Sequence, residues 1–277
     1  YGGGIYCKGS SPVLKDLIVT NNSGDEGGGG GIFCYEASPI ITGCLITSNT
    51  TNDVGGGLYA RNASNVTIIN TDFVSNEADL GAGCYLRSES VPSMTNVEFT
   101  SNVAANSGGA IVLKDNADAT MNQVTMVGNI AEGLGGGLYI NNADPSLDYV
   151  LAFGNISSAG GGAYIRNNSD PIFNHTTVAY NTSGFEGSGV YLRDNSNLIV
   201  TNSVFWGNGD EQIYFRDSGD DVSLDISYSL VEDGQSGVDV NNNGFLDWGL
   251  GMLQSDPYFC NGEGGLFTLR ENSPCIN

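Results

Sequence analysis

Seven of the nine Lys and Arg residues in this 277-residue chain fall at one recurring position: Lys8, Arg61, Arg87, Lys114, Arg166, Arg193 and Arg216. Two residues earlier runs a mainly aromatic series, Tyr6, Phe33, Tyr59, Tyr85, Val112, Tyr139, Tyr164, Tyr191 and Tyr214. Aromatic faces stack on sugar rings, and guanidinium forks grip carboxylate or sulfate. The two series together are a candidate glycan-binding strip. A competing reading keeps the charges at home: Asp115, Asp194 and Asp217 directly follow Lys114, Arg193 and Arg216 and can neutralise them. Under that reading the tyrosines only stack to stiffen a sheet. Two unit charges about 4.8 Å apart repel by ~0.9 kcal/mol in water and ~3.5 kcal/mol at an effective dielectric near 20, so such a file needs carboxylates or a ligand.

Asp239, Asn241, Asn243, Phe245 and Asp247 follow D-x-N-x-N-G-x-x-D, the first nine positions of a calcium loop. Oxygen donors at positions 1, 3, 5, 7 (backbone) and 9, with glycine at 6, suit a hard cation. Leu250 stands where the bidentate Glu of position 12 belongs, which leaves a weak Ca²⁺ site, one that borrows Asp256, or a plain Asn/Gly turn. The single histidine, His175, shares a polar column with Asp16, Gly43, Asn70, Asn96, Gln123, Tyr149 and Asn202 and reads as a surface residue. Acids before the glycine clusters (Asp25, Glu26, Asp53, Glu77, Asp79, Glu132, Glu186) are scattered, as in a solvated rim, and no catalytic constellation emerges.

The elements that position these residues come from a repeat. Glycine is twice as frequent as usual, at 41 residues, and charged residues make up only 14%. Glycine clusters at Gly2–Gly4, Gly29–Gly31, Gly55–Gly57, Gly81–Gly83, Gly108–Ala110, Gly135–Gly137, Gly160–Gly162 and Gly187–Gly189 set a period of about 26 residues. A second column, Asn22, Asn49, Asn76, Asn102, Asn129, Asn155, Asn181 and Asn208, steps by 26 or 27. Eight and three residues before each Asn lie apolar columns, and five of the seven prolines share a turn column. Short period-2 stretches between Gly, Asn and Pro are strands, and a unit this long with three of them makes one turn of a parallel β-helix. The constant Asn suits a corner, since Asn tolerates the left-handed region and its amide can hydrogen-bond along the stack. The strand after each glycine cluster then points Ile5/Cys7, Leu58/Ala60 and Leu138/Ile140 inward and the tyrosine and arginine files outward onto the wet exterior.

Phe73-Val-Ser-Asn76, Phe99-Thr-Ser-Asn102 and Phe205-Trp-Gly-Asn208 match an FxxN motif, and Gly108-Gly-Ala-Ile111 matches GGA[ILV]. Over residues 1–218 the chain thus resembles polymorphic outer-membrane protein repeats, within the right-handed parallel β-helix (pectate-lyase-like) superfamily. The resemblance implies an all-β right-handed solenoid of about nine rungs, and a function among adhesins, autotransporter passengers, and polysaccharide lyases and hydrolases. The NTD, DD and GHG motifs usual in hydrolases of that superfamily are represented by Asp220-Asp221 alone, outside the regular rungs. Residues 219–277 form an irregular cap. Its end resembles the terminal segment of secreted β-helices, and a Cys260–Cys275 disulfide would staple it. Cys7 and Cys34, 27 apart in one inward column, come within disulfide range or stack as thiols. Cys44 and Cys84 read as buried small apolar residues.

With a formal net charge of −22, the chain lacks the basic footprint that nucleic acid or an anionic membrane surface requires. No apolar run is long enough to insert in a membrane as a helix. The chain opens inside a rung, so earlier rungs or another chain are expected on that edge, which raises end-to-end stacking into a filament. The leading expectation is a non-catalytic extracellular or cell-surface module for adhesion or structure, able to bind a polysaccharide or cell-surface glycan. A lyase or hydrolase acting on acidic polysaccharide and a filament subunit are the alternatives.

Overall fold

A computed structural model of the protein describes residues 2–24, 27–209, 211–216, 221–242 and 244–276. Among them the chain winds as a parallel β-solenoid with three sheets along its length. The first sheet has ten strands, from Ile5–Lys8 to Val238–Asp239, and therefore nine steps from rung to rung. The second has sixteen strands, because a corner residue splits most of its rungs in two, and the third has seven. Pairing joins each position to its equivalent one rung on: Ile5 to Ile32, Leu58 to Cys84, Cys84 to Ile111, Ile111 to Leu138.

Regular pairing continues beyond residue 218. Val222–Ser227 lies in register on Asn197–Thr201, and Gly244–Trp248 lies on Val222–Ser227. The irregular part of the cap follows, with one antiparallel pair, Phe259–Asn261 and Leu266–Leu269.

The interior is filled by the expected columns. Ile41, Ile68, Met94, Met121, Leu147, Phe173 and Val200 form one buried file, and Ile46, Phe73, Phe99, Met126, Ala152, Val178 and Phe205 another. Phe73 and Phe99 stack with centroids 4.8 Å apart. Burying a phenylalanine of this kind contributes about 3 kcal/mol, so these files are the main source of cohesion between rungs.

The asparagine column is buried from Asn49 to Asn208 and forms a continuous amide ladder. Asn102 donates from its backbone N–H (3.0 Å) and from Nδ2 (2.9 Å) to Asn129 Oδ1, and its Nδ2 also donates to Phe73 O (2.9 Å). Asn129 repeats the pattern on Asn155, and Asn155 on Asn181. At the far end Asn208 Nδ2 donates to Gln212 Oε1 (2.7 Å), and Gln212 Nε2 donates to Glu232 (3.0 Å), which closes the ladder. The left-handed corner conformation expected of these asparagines belongs instead to the residue before each: Asn21, Ser48, Ser75, Ser101, Gly128, Gly154, Tyr180 and Gly207 have φ between 52° and 66°. The asparagine is fixed by its amide, and the residue before it turns the chain.

Candidate binding face on the first sheet

Most strands of the first sheet direct an aromatic residue away from the solenoid core, yet from Phe33 to Tyr191 the rings are not on a wet surface. Tyr59, Tyr85 and Tyr164 are 2% exposed, Tyr191 6% and Tyr139 9%. This corrects the exterior placement expected from alternation. The residues just before the glycine clusters, among them Val54, Leu80, Leu134 and Ala159, fold back over the rings and make a second apolar layer. The first glycine of each cluster permits this cover. A Cβ on Gly55 would lie 2.8 Å from Tyr59 Cβ, and one on Gly81 2.9 Å from Tyr85 Cβ, and both glycines take a positive φ.

Within that layer the rings follow one another closely. Phe33 and Tyr59 stack at 4.8 Å, Tyr139 and Tyr164 at 5.7 Å, Tyr164 and Tyr191 at 4.7 Å. Tyr85 meets Tyr59 edge-on at 5.5 Å and 75°, and Tyr214 tilts against Tyr191 at 5.1 Å. Burial pushes the Tyr85 hydroxyl up to about 12 and raises those of Tyr164 and Tyr191. Val112 interrupts the file. Beside it lies a cavity of about 280 Å³ with walls from Tyr85 and Tyr139 and a lip from Leu80 and Leu134.

The basic file runs alongside, half-buried from Arg61 to Arg216. Much of its charge is neutralised internally. Arg87 pairs with Asp115 at 3.3 Å, and Asp194 takes both Arg166 (3.3 Å) and Arg193 (2.8 Å). Arg61 lies over the rings of Phe33, Tyr35 and Tyr59 at 5.1–5.6 Å, and its buried Nε has no hydrogen-bond acceptor among the described residues. Asp115 thus serves the arginine one rung back, leaving Lys114 without an anionic partner among the described residues. Arg216 donates its backbone N–H to Leu192 O, and Asp217 lies outside the described residues.

The serines three residues after Arg61, Arg87 and Arg166 were not singled out by sequence reasoning. Ser64, Ser90 and Ser169 are buried, and each hydroxyl donates to the carbonyl of its arginine at 2.6–2.8 Å while accepting a backbone N–H from the preceding rung. They fix the corner that carries the guanidinium. Their constant offset from the arginines was the available signal. A second pattern also escaped notice: Asp72 and Glu98 stand opposite each other on the second sheet, and partial burial with the Glu98 charge raises the Asp72 carboxyl.

The other expected site residues lie in later rungs. Asp239 ends a first-sheet strand beside Tyr214, whereas Phe245 and Asp247 lie in a second-sheet strand, Asp247 opposite Asp225. Asn241 gives its side-chain amide to Phe215 O, and a turn from Asn241 to Gly244 joins the two strands. Asn243 and Asp220 lie outside the described residues. The segment rounds a corner of the solenoid, with its two carboxylates on different sheets.

All six cysteines are free thiols: the expected Cys260–Cys275 disulfide is not formed, and Cys7 and Cys34 take the thiol alternative. Cys7 and Cys34 are opposed in the first sheet and share a thiol hydrogen bond, which brings Cys7 down to about 7 and pushes Cys34 up. Cys260 is exposed on its strand, while Cys275 faces a separate cavity of about 550 Å³ with His175, Asn202 and Tyr228. His175 occupies the expected surface corner, its Nδ1 3.0 Å from Asp148 Oδ1 and its ring stacked on Tyr149 at 4.5 Å.

A parallel β-solenoid of this kind belongs to a recognisable fold class. The family model described as right handed beta helix region matches residues 1–151 and again 137–249. The chain belongs to that family. Comparisons with curated proteins and with solved structures returned no match.

Proposed function

We propose that this chain is a non-catalytic β-helix module of the cell exterior that binds an acidic glycan along the basic margin of its first sheet. The observation that carries the reading is charge placement. A chain of net charge −22 with nine basic residues sets seven of them in one file on one face. Like charges are stacked here rung upon rung where alternation with acids would be cheaper, and ion pairing relieves Arg87, Arg166 and Arg193 but, among the described residues, leaves Lys114 open. The covered tyrosines lie beneath the cations, so contact with the glycan falls to the basic side chains. The FxxN and GGA[ILV] matches to polymorphic outer-membrane protein repeats support the extracellular placement and the adhesive role.

The test is retention on immobilised acidic polysaccharide. The wild type is retained, more weakly as salt rises, and the Arg87→Gln, Lys114→Gln, Arg166→Gln variant is not. Equal retention of that variant overturns the reading. New reducing or unsaturated ends in the glycan would replace the non-catalytic assignment with a lyase or hydrolase.

A further inference from the structure

We infer that the open cavity between the second sheet and the C-terminal tail is a separate site for a neutral sugar, seated between His175 and Tyr228. It lies on another face from the basic file and takes an uncharged ligand, so it stands apart from the glycan reading of the first sheet. The cavity is the one of about 550 Å³ that Cys275 faces, and its volume is that of a small-ligand site. Its rim is open to solvent: Tyr228 is 62% exposed, and His175, Asn202 and Gly251 are exposed beside it. Pro274 and Cys275 form the wall opposite, on a tail that Ser273 anchors by donating from Oγ to Pro257 O at 2.7 Å.

Four consecutive rungs build the rim, each with its corner residue at positive φ: His175, Asn202, Tyr228 and Gly251. One side of the His175 ring is stacked on Tyr149 at 4.5 Å. Its Nδ1 is held 3.0 Å from Asp148 Oδ1, and its Nε2 has no partner among the described residues. Asn202 Nδ2 donates to Asn174 Oδ1 at 2.9 Å, which leaves its own Oδ1 as an acceptor. The Tyr228 ring lies over Gly251, where a Cβ would strike Cδ1, so it leans away from Asn202 and the gap stays open. His175 and Tyr228 are two rungs apart, about 9.6 Å at one strand spacing per rung, with the shorter Asn202 between them. Carbon surfaces in contact sit about 3.5–4.0 Å apart, so a flat ring held between two faces needs only about 7–8 Å. A puckered pyranose with C–H bonds on both faces is thicker and fits the wider gap.

The lining sets the charge of the ligand. Among the described residues, no lysine, arginine, aspartate or glutamate lines the cavity, and a charged ligand would enter unpaired. The floor is apolar, from Val204, Leu230 and Leu253. Its buried serines are spent on the backbone: Ser203 Oγ donates to Thr201 O at 2.7 Å and Ser229 Oγ to Ser227 O at 2.8 Å. Recognition falls to the imidazole, amide and phenol of the rim, which match the hydroxyls of a hexose while the rings take its C–H faces.

The experiment is saturation-transfer NMR of the full chain with cellobiose, lactose and maltose, beside glucuronate and 4-hydroxybenzyl alcohol. At least one neutral disaccharide binds the wild type, and the charged and flat probes bind at least tenfold more weakly. Tyr228→Ala weakens disaccharide binding about tenfold. Asn202→Tyr fills the gap and removes it; the corner accepts tyrosine, since Tyr149 and Tyr228 hold φ of 53° and 47° there and Asn202 53°. Retention of Asn202→Tyr on acidic polysaccharide is unchanged, so this site and the first-sheet reading fail separately. Should Asn202→Tyr fail to fold, the exposed Tyr228→Ala decides alone. The site is overturned if none of the three disaccharides binds, if either variant binds as the wild type does, or if glucuronate or the flat alcohol binds as well as the disaccharides. An equal loss of disaccharide binding in Lys114→Gln would put the sugar on the first sheet and overturn it too.

Discussion

Tyr85 shows how far a residue's environment can depart from what its sequence spacing implies. Alternation along the strand placed it outside the core, and it does point away from the core, yet it is 2% exposed because Leu80 and its neighbours lie over it. Period-2 alternation reports direction from a sheet and carries no information about what a preceding loop lays on top; the first glycine of each cluster was the legible hint, needed because a Cβ there would strike the ring. Burial raises the Tyr85 hydroxyl from an ordinary 10 to about 12. A folded-state value above the unfolded one gives stability that is complete below about pH 10 and lost as pH climbs towards 12. Two units correspond to about 3 kcal/mol. Thermal unfolding followed from pH 9 to 12 is therefore expected to show a falling midpoint, with tyrosinate absorbance rising alongside the loss of β-sheet signal. Tyr85→Phe flattens the fall. A midpoint equally steep in that variant would remove Tyr85 from the account.

Among the elements, the asparagine ladder, the two core files and the strand register were readable because each depends on contacts between equivalent positions, which a repeat writes out rung after rung. The Cys260–Cys275 disulfide was not, because it depends on a single segment with no repeated counterpart, and Cys275 turns towards the His175 cavity. The glycine clusters and the FxxN motif prove to be one device. A Cβ on Gly83 would lie 2.6 Å from Phe99 Cδ1, and one on Gly57 2.8 Å from Phe73 Cδ1. In the rung whose equivalent position is Ala110, the facing residue is Met126, an unbranched side chain that can give way. Gly83→Ala is thus expected to destabilise by about 3 kcal/mol and Phe99→Met by about 1 kcal/mol, while the double variant recovers roughly 2 kcal/mol of their sum. Urea denaturation of the four proteins measures that coupling. Simple additivity would show that glycine at this position serves the backbone alone.

For the whole molecule, equivalence between rungs means that stability is set by contacts between neighbours and that any rung can in principle be removed if register is kept. Deleting Ile111 through Gly137 joins Ala110 to Leu138, the residue paired with Ile111 one rung on. In the shortened chain Asn102 meets Asn155, which accepts the same two hydrogen bonds that Asn129 accepts in the parent. Ala110 then faces Ala152, a smaller residue than Met126, so the joined rung is not overpacked. Tyr85 meets Tyr139 directly, and the break at Val112 disappears together with Lys114. The shortened protein is expected to keep its β-sheet circular dichroism and a single cooperative unfolding transition, with a midpoint lower by only a few degrees. A half-rung deletion, Ile111 through Val124, instead sets first-sheet residues against second-sheet ones and breaks the ladder. It is expected to abolish the transition, although it removes fewer residues. If both deletions unfold the chain alike, the rungs are not interchangeable, and the solenoid is held by interactions beyond those of nearest neighbours.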